Sequence, residues 1–227
     1  MPGITVFCTL GMRAVLDEVA PAFAGARHVA VVRVYDSSVA LMRRIAAGET
    51  ADVAVITAEA VDDLIRQRKV GKRVDLSRSF VGLAVAKGAP KPDISTPEKF
   101  RQAMLAAKSI ARSKTGASGL YFAGLIERLG LAEALVGKMI VRDGIVGKIA
   151  ASGEAELAVQ QVSELMQADG VDIVGPLPAE LQSVTVFSAG VFTDAGNPGA
   201  AQAFVDELAS PASAALIRRK GMEPVQG

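Results

Sequence analysis

Apolar and polar positions along the chain repeat in two rhythms, one with the period of a strand and one with the period of a helix. Short β-branched runs open each pair: Ile4 to Cys8 reads as a buried strand, and Val29 to Tyr35 and Ala51 to Thr57 as further strands. Behind them, apolar residues recur three or four apart. Met12, Val15, Leu16, Val19 and Phe23 mark one helix face, and Leu41, Met42 and Ile45 mark a second that stops near Gly48. The segment AEAVDDLIRQRK supplies a third. Repeated strand-helix-strand units predict an α/β protein with a largely parallel sheet.

The rhythm changes at Phe80 to Ala86, which predicts a long strand running into a Pro-rich loop. Thr96-Pro97-Glu98 then opens a helix, with Pro97 in the favoured first turn. A second set of units follows. SIARS reads as a strand, and the helix after it carries Tyr121, Phe122, Leu125, Ile126 and Leu129 on one face and stops at Gly130. ELAVQQ is another strand, with a short helix at Ser163 to Gln167. In VDIVGPLPAEL the chain turns, stiffened by Pro176 and Pro178, and Val184 to Phe192 is a second long strand. PGAAQAFVDELAS and PASAALIRRKG predict two closing helices. The pattern describes two lobes joined by the two long strands, with the last helices returning to the first lobe.

With 227 residues the chain is long enough for such lobes to have cores of their own. Its 25 basic and 24 acidic residues leave a formal net charge of +1, which excludes the electrostatic footprint of a nucleic-acid or anionic-membrane binder. The chain has no apolar run long enough to span a bilayer, and the single cysteine, Cys8, excludes an internal disulfide. The opening MPGITVFCTL lacks the basic and apolar regions of a secretory leader.

Three loops invite chemistry. The first predicted strand ends in CTLG, the second in YDSS, and SIARS leads into TGASG; each runs into a helix start. In α/β sheets, ligands bind beyond the carboxyl ends of strands. A helix N-terminus there offers unpaired N–H groups and about half a positive charge, so it takes up anions. Glycine lets a ligand approach the backbone, and a hydroxyl adds a donor. One such loop alone reads as an ordinary cap. Three of a kind, with Arg112 and Lys114 standing before the last, read as well as the walls of an anion cleft.

Other chemistries find no pattern. His28, the only histidine, stands at the start of a strand without a Ser or Cys partner in a motif. TGASG has the wrong spacing for a nucleophile elbow, and no Walker loop, GxGxxG or Cys/His cluster is present, so neither cofactor nor metal is expected.

Taken in order, ITVF followed by small residues and a helix, SSVALMRRIAAGETADVAVIT, ASGLYFAGLIERLGL, GEAELAV and FVDELASPASAALIRRKGM make the chain resemble the periplasmic molybdate-binding protein family, a branch of the type II periplasmic binding proteins. The likeness covers nearly the full length. It implies two mixed sheets flanked by helices, with a ligand cleft between the lobes that closes about a hinge. Lobe one would hold residues 1–80 and 190–227, lobe two 81–189, and the hinge strands would lie near 80–86 and 184–192. The partners it implies are a small anion and an ABC permease, with the chain a monomer. The resemblance places the protein in the periplasm where a leader has been removed; a natural start at Met1 would place it in the cytoplasm.

The family's ligand positions carry over unevenly. Its first serine falls on Gly11, with Thr9 and Leu10 beside it, and its second falls on Ser38, next to Ser37. Its third position, a backbone donor, falls on Ser118, with Ala117 and Lys114 close in sequence; the fourth falls near Asp143 or Gly144. Its tyrosine falls on Gln161. One hydroxyl is lost and a phenol becomes an amide, which weakens the case for molybdate and leaves the ligand open. Arg13, Lys114 and Arg142 near the matched loops lean toward an organic acid, since arginine is the bidentate partner of carboxylates.

The resemblance extends to an isomerase branch on this fold, aconitate isomerase, which moves a double bond in a tricarboxylate. A cofactor-independent isomerase of an unsaturated carboxylate is therefore the alternative to a pure binder. That chemistry needs a base and an acid, and Cys8, Asp36, Lys114, Tyr121 and Asp143 are the candidates near the cleft. Cys8 reads as a poised thiol or a small buried hydrophobe, and Asp36 as a base or a helix cap. No pair among them has a spacing that assigns a role.

Overall fold

The structure, a computed structural model, describes residues 3–225, so Met1 lies outside the described residues. The chain divides into two compact units, one formed by the chain up to Ser79 together with Thr185 onward, the other by Phe80–Val184.

In the first unit, strand β1 (Gly3–Thr9) leads through a 3-10 turn into helix α1 (Arg13–Arg27). Next come β2 (Ala30–Asp36), α2 (Ser38–Ala46), β3 (Val53–Thr57), α3 (Ala58–Arg66) and β4 (Val74–Ala86). Strand β1 lies between β2 and β3, parallel to both, so Cys8 faces Tyr35 on one side and Val55 on the other. Every residue of β1 and β3 from Val6 to Cys8 and from Val53 to Ile56 is buried, as expected for parallel strands covered on both faces. Alternate side chains part to opposite faces. Ile4, Val6 and Cys8 join Met12, Leu16 and Phe204 in one core, while Phe7, Ala54 and Ile56 join Leu41, Val61 and Leu64 in another.

Two local features depart from the pattern reading. Strand β4 begins at Val74, ahead of the expected Phe80, because its first half, VDLSRS, hides polar side chains that look like loop. Ser77 is fully buried with its hydroxyl donating to the sulfurs of Met12 and Met222, at 3.3 and 3.4 Å. His28 is exposed and adopts the left-handed conformation, φ 54°, that ends α1, so it closes a helix rather than opening a strand.

In the second unit, α4 (Pro97–Ala106) is capped by Thr96, whose hydroxyl accepts from Lys99 N–H. Strand β5 (Ile110–Ser113) follows, then α5 (Ala117–Arg128), α6 (Ala132–Leu135), β6 (Met139–Arg142), α7 (Gly147–Ala151), β7 (Leu157–Gln161), α8 (Val162–Leu165) and β8 (Val171–Pro176). Strands β5, β6 and β7 are parallel, with β5 between the other two, whereas β7 and β8 run antiparallel to the second half of β4. Strands β6 and β8 carry no strand-like alternation in the sequence. Only partly buried along their lengths, they are recruited by pairing with neighbours rather than by their own pattern.

Helix α5 sits so close to β5 that a Cβ on Gly119 would lie 2.0 Å from the Ser113 carbonyl oxygen. Phe122 and Leu125 on its inner face reach Phe100, Leu83 and Val159 in the core of this unit. Gly130, at φ +64°, ends the helix as its position suggests.

The chain returns to the first unit through β9 (Val184–Val191), antiparallel to β3, and finishes with α9 (Pro198–Leu208), α10 (Pro211–Arg219) and β10 (Glu223–Pro224), which pairs with β4 at Ser77 and Arg78. Phe204 of α9 meets Phe23 of α1 edge to face, 5.1 Å between centroids.

Asp52 ties these pieces together. Its carboxylate accepts from Thr5 N–H at 2.7 Å and Asn197 N–H at 3.2 Å, while its own N–H donates to Thr5 O and its carbonyl accepts from Phe192 N–H. Asp52→Ala strips two backbone donors of a charged partner and is expected to destabilise the chain by about 2–4 kcal/mol. A lower urea midpoint with an unchanged slope would show this; an unchanged midpoint would refute it.

Candidate functional site

The matched positions fall at or just beyond the carboxyl ends of the parallel strands, within each unit taken separately. In the first unit, Thr9 closes β1 and is buried, Leu10 and Gly11 form the 3-10 turn, and Ser37 and Ser38 follow β2. Ser37 caps α2, its hydroxyl accepting from Ala40 N–H at 3.2 Å, while its own N–H donates to Asp36 Oδ1 at 2.7 Å. Ser38 Oγ accepts from Thr57 N–H at 3.2 Å, which fastens the α2 start to the end of β3.

Gly11 has a physical reason to lack a side chain. A Cβ there would lie 2.4 Å from the ring of Phe187, a buried residue of β9. The aromatic ring occupies the room a serine hydroxyl would need.

The second unit presents the start of α5. Ser113 Oγ accepts from Gly116 N–H at 2.8 Å, and Gly116, as N-cap, brings no side chain of its own. Leu120 N–H donates to the carbonyl of the N-cap, Gly116 O, at 3.0 Å, so the amides before Leu120 in the first turn have no carbonyl of the helix to donate to. Ser118 stands on this turn, 1% exposed, and its hydroxyl has no hydrogen-bond partner among the described residues. A buried hydroxyl without a partner is destabilising, and such groups call for an explanation. Ala117 and Lys114 are exposed; Lys114 N–H donates to Arg142 O and joins the loop after β5 to β6.

Beyond β6, Gly144 takes φ +84° and its carbonyl accepts from Gln160 Nε2 at 2.9 Å, while Gln160 Oε1 accepts from Val146 N–H at 2.8 Å. Gln161, at the end of β7, is buried. Beneath it lies Glu164, which the sequence reading missed. Glu164 sits three residues after the Gln161 N-cap, where the acidic half of a capping box stands, and that spacing was its available signal. Burial pushes its carboxyl up to about 7, against the bonds that Gln161 N–H and the Gln160 side chain donate to it. Its Oε2 has no partner among the described residues.

Several expected contributors are engaged elsewhere. Arg13 pairs with Asp17 at 3.4 Å and lies over the Tyr35 ring, and Arg142 pairs with Glu154 at 3.5 Å. Tyr121 donates its hydroxyl to Leu181 O, Asp143 accepts from Thr115 Oγ1, and Asp36 accepts from Ser37 N–H. Cys8 is not a poised thiol. It is wholly buried, its Sγ donates to Thr9 O, and burial and the Asp17 carboxylate hold its pKa well above the usual thiol value. Among the described residues, no group of His, Cys, Asp and Glu could hold a metal ion, and no helix is long and apolar enough to cross a membrane.

A model of the family described as bacterial extracellular solute-binding protein matches residues 4–223. The chain is 37% identical over 231 aligned residues to aconitate isomerase from Pseudomonas sp, covering 98% of this chain and 88% of that one. To the molybdate-binding protein ModA of Escherichia coli (strain K12) it is 24% identical, covering 96% and 88%. Among solved structures, the periplasmic molybdate-binding protein of Azotobacter vinelandii superposes with a TM-score of 0.80 at 22% identity, covering 96% of this chain and 98% of that one.

Two outcomes test this geometry. Gly11→Ser drives a side chain into Phe187 and is expected to destabilise by about 1–3 kcal/mol, seen as a lowered urea midpoint. For Glu164, the folded pKa lies above the ordinary 4.5, so between pH 4.5 and 7 the folded chain keeps a proton the unfolded chain has released. Stability therefore falls as pH rises through that window, by about 3 kcal/mol from this group. Glu164→Gln should remove that part of the slope in urea titrations at pH 4.5 and 8; an unchanged slope would contradict the assignment.

Proposed function

From the premise that the chain belongs to the bacterial extracellular solute-binding protein family, in its molybdate-binding-like branch, we propose that it captures a small organic polycarboxylate. The observation that carries this reading is Ser118: a buried hydroxyl without a protein partner at the open end of a 12-residue helix. Such a group suits an anion that arrives from outside, because the helix end favours negative charge and the hydroxyl supplies a directed donor. Phe187 beside Gly11 supports the choice of ligand class, since it removes the hydroxyl that the molybdate-binding family places there. Delivery of the ligand to an ABC permease is the role the family suggests for such a protein.

Turnover is the second reading, favoured by the 37% identity to aconitate isomerase across nearly the whole chain. An isomerase of this kind would take a proton beside one carboxylate and return it elsewhere on the same molecule. Of the carboxyls in the second unit, Glu164 has the pKa suited to exchanging protons near neutrality, although its two bonded neighbours first assign it to the capping of α8.

A thermal-shift panel of molybdate, tungstate, sulfate, fumarate, citrate and trans-aconitate tests the reading. A ligand at about a hundred times its Kd stabilises by about 2.7 kcal/mol, a rise of about 5–10 °C for a chain of this size. Polycarboxylates should give it; a shift with molybdate or tungstate alone would sink the proposal. Ser118→Ala keeps the backbone donor and removes an unsatisfied hydroxyl, so the unliganded chain should melt no lower while ligand affinity drops about tenfold. Proton NMR of the trans-aconitate sample then separates conversion from capture.

A further inference from the structure

Arg112 stands out from the other cations around the β5 end. It is the third residue of β5 and follows Ile110 by two, so it shares the face that packs under α5. Its Nη1 donates to Ser113 O at 3.1 Å and to Gly119 O at 3.4 Å, the strand end and the first turn of the helix. Those are its hydrogen bonds among the described residues, and Nε is buried with no partner. No carboxylate of the described residues pairs with it, whereas in the same unit Arg142 has an acidic partner and Arg128 lies over Tyr121; Lys114, likewise without a carboxylate partner among the described residues, is exposed.

A guanidinium drawn partly out of water and bonded to neutral carbonyls keeps its full charge. Such a charge is held without a counter-ion only at a cost that an arriving anion would relieve. Gly119, whose carbonyl holds Nη1, directly follows Ser118, so the guanidinium is bonded to the residue next to the one that carries the unpartnered hydroxyl, both in the first turn of α5. We propose that Arg112 is the specificity-determining residue of the α5 anion site: its charge selects ligands by the number of their carboxylates. The inference rests on the reading of that helix start as the ligand site.

Arg112 acts on the ligand through its field and through the loop it clamps between Ser113 and Gly119. Coulomb attraction scales with the ligand's charge, and in this half-buried setting it is stronger than in bulk water. A part played only in holding the loop would weaken every ligand alike.

The experiment is calorimetric titration of acrylate, fumarate and trans-aconitate, which carry one, two and three carboxylates, at a single ionic strength. Arg112→Gln and Arg112→Met remove the charge while keeping a side chain of similar reach, and Arg112→Lys keeps the charge. For either neutral variant, the loss of affinity should climb from about threefold for acrylate to about thirtyfold for trans-aconitate. Arg112→Lys should retain the wild-type ranking, with the loss differing by less than about twofold between ligands. Equal losses across the three ligands in the neutral variants, or none, would overturn the proposal. So would the failure of both neutral variants to melt cooperatively, which would assign Arg112 to folding. A wild-type chain that binds none of the three acids would instead bring down the α5 site reading itself.

Discussion

The close approach of α5 to β5 at Gly119 is the constraint on which the second unit's chemistry depends. With a carbonyl 2.0 Å from where a Cβ would be, only glycine allows the first turn of the helix to lie against the strand end. That approach puts Ser113 Oγ within reach of Gly116 N–H, buries Ser118, and brings Gly119 O to the Arg112 guanidinium. A helix set further out would leave the hydroxyl in water and the cation solvated. Packing is thus what leaves Ser118 buried without a partner and Arg112 bonded to carbonyls alone, the two observations on which the proposed anion site rests.

The first unit distributes its polar groups differently. Ser37 and Ser38 spend their hydroxyls on backbone N–H groups, at Ala40 and Thr57, and so fix the start of α2. At the neighbouring turn, Phe187 takes the space that a side chain on Gly11 would fill.

Most of the acids and bases near the helix starts are engaged within the protein. Cys8, Tyr121, Asp36 and Asp143 all have internal partners that account for them structurally. Glu164 differs, because burial places its carboxyl near 7 while one oxygen has no partner among the described residues. The same burial that makes a good cap expensive to ionise also makes a carboxyl able to exchange a proton near neutrality.

Much of the architecture was legible in the sequence, because parallel strands buried on both faces must be continuously apolar and their covering helices must repeat at the helical period. Strands β1, β3, β5 and β7 and the long helices announce themselves in that way, as do Pro97 and Gly130 at helix ends, while β2 shows a similar apolar run although its residues are half-buried or exposed at a sheet edge. Strands β6 and β8 and the first half of β4 do not, since their formation depends on edges supplied by residues far along the chain. The loops at the helix starts could also be named from residue type and order. Which of their groups are engaged was decided by tertiary structure alone: pairing of Arg13 with Asp17, the ring of Phe187 against Gly11, the unpartnered hydroxyl of Ser118, and an Arg112 bonded to carbonyls alone. A sequence states which donors and charges exist, but whether each finds a partner depends on distances that only the packed chain creates.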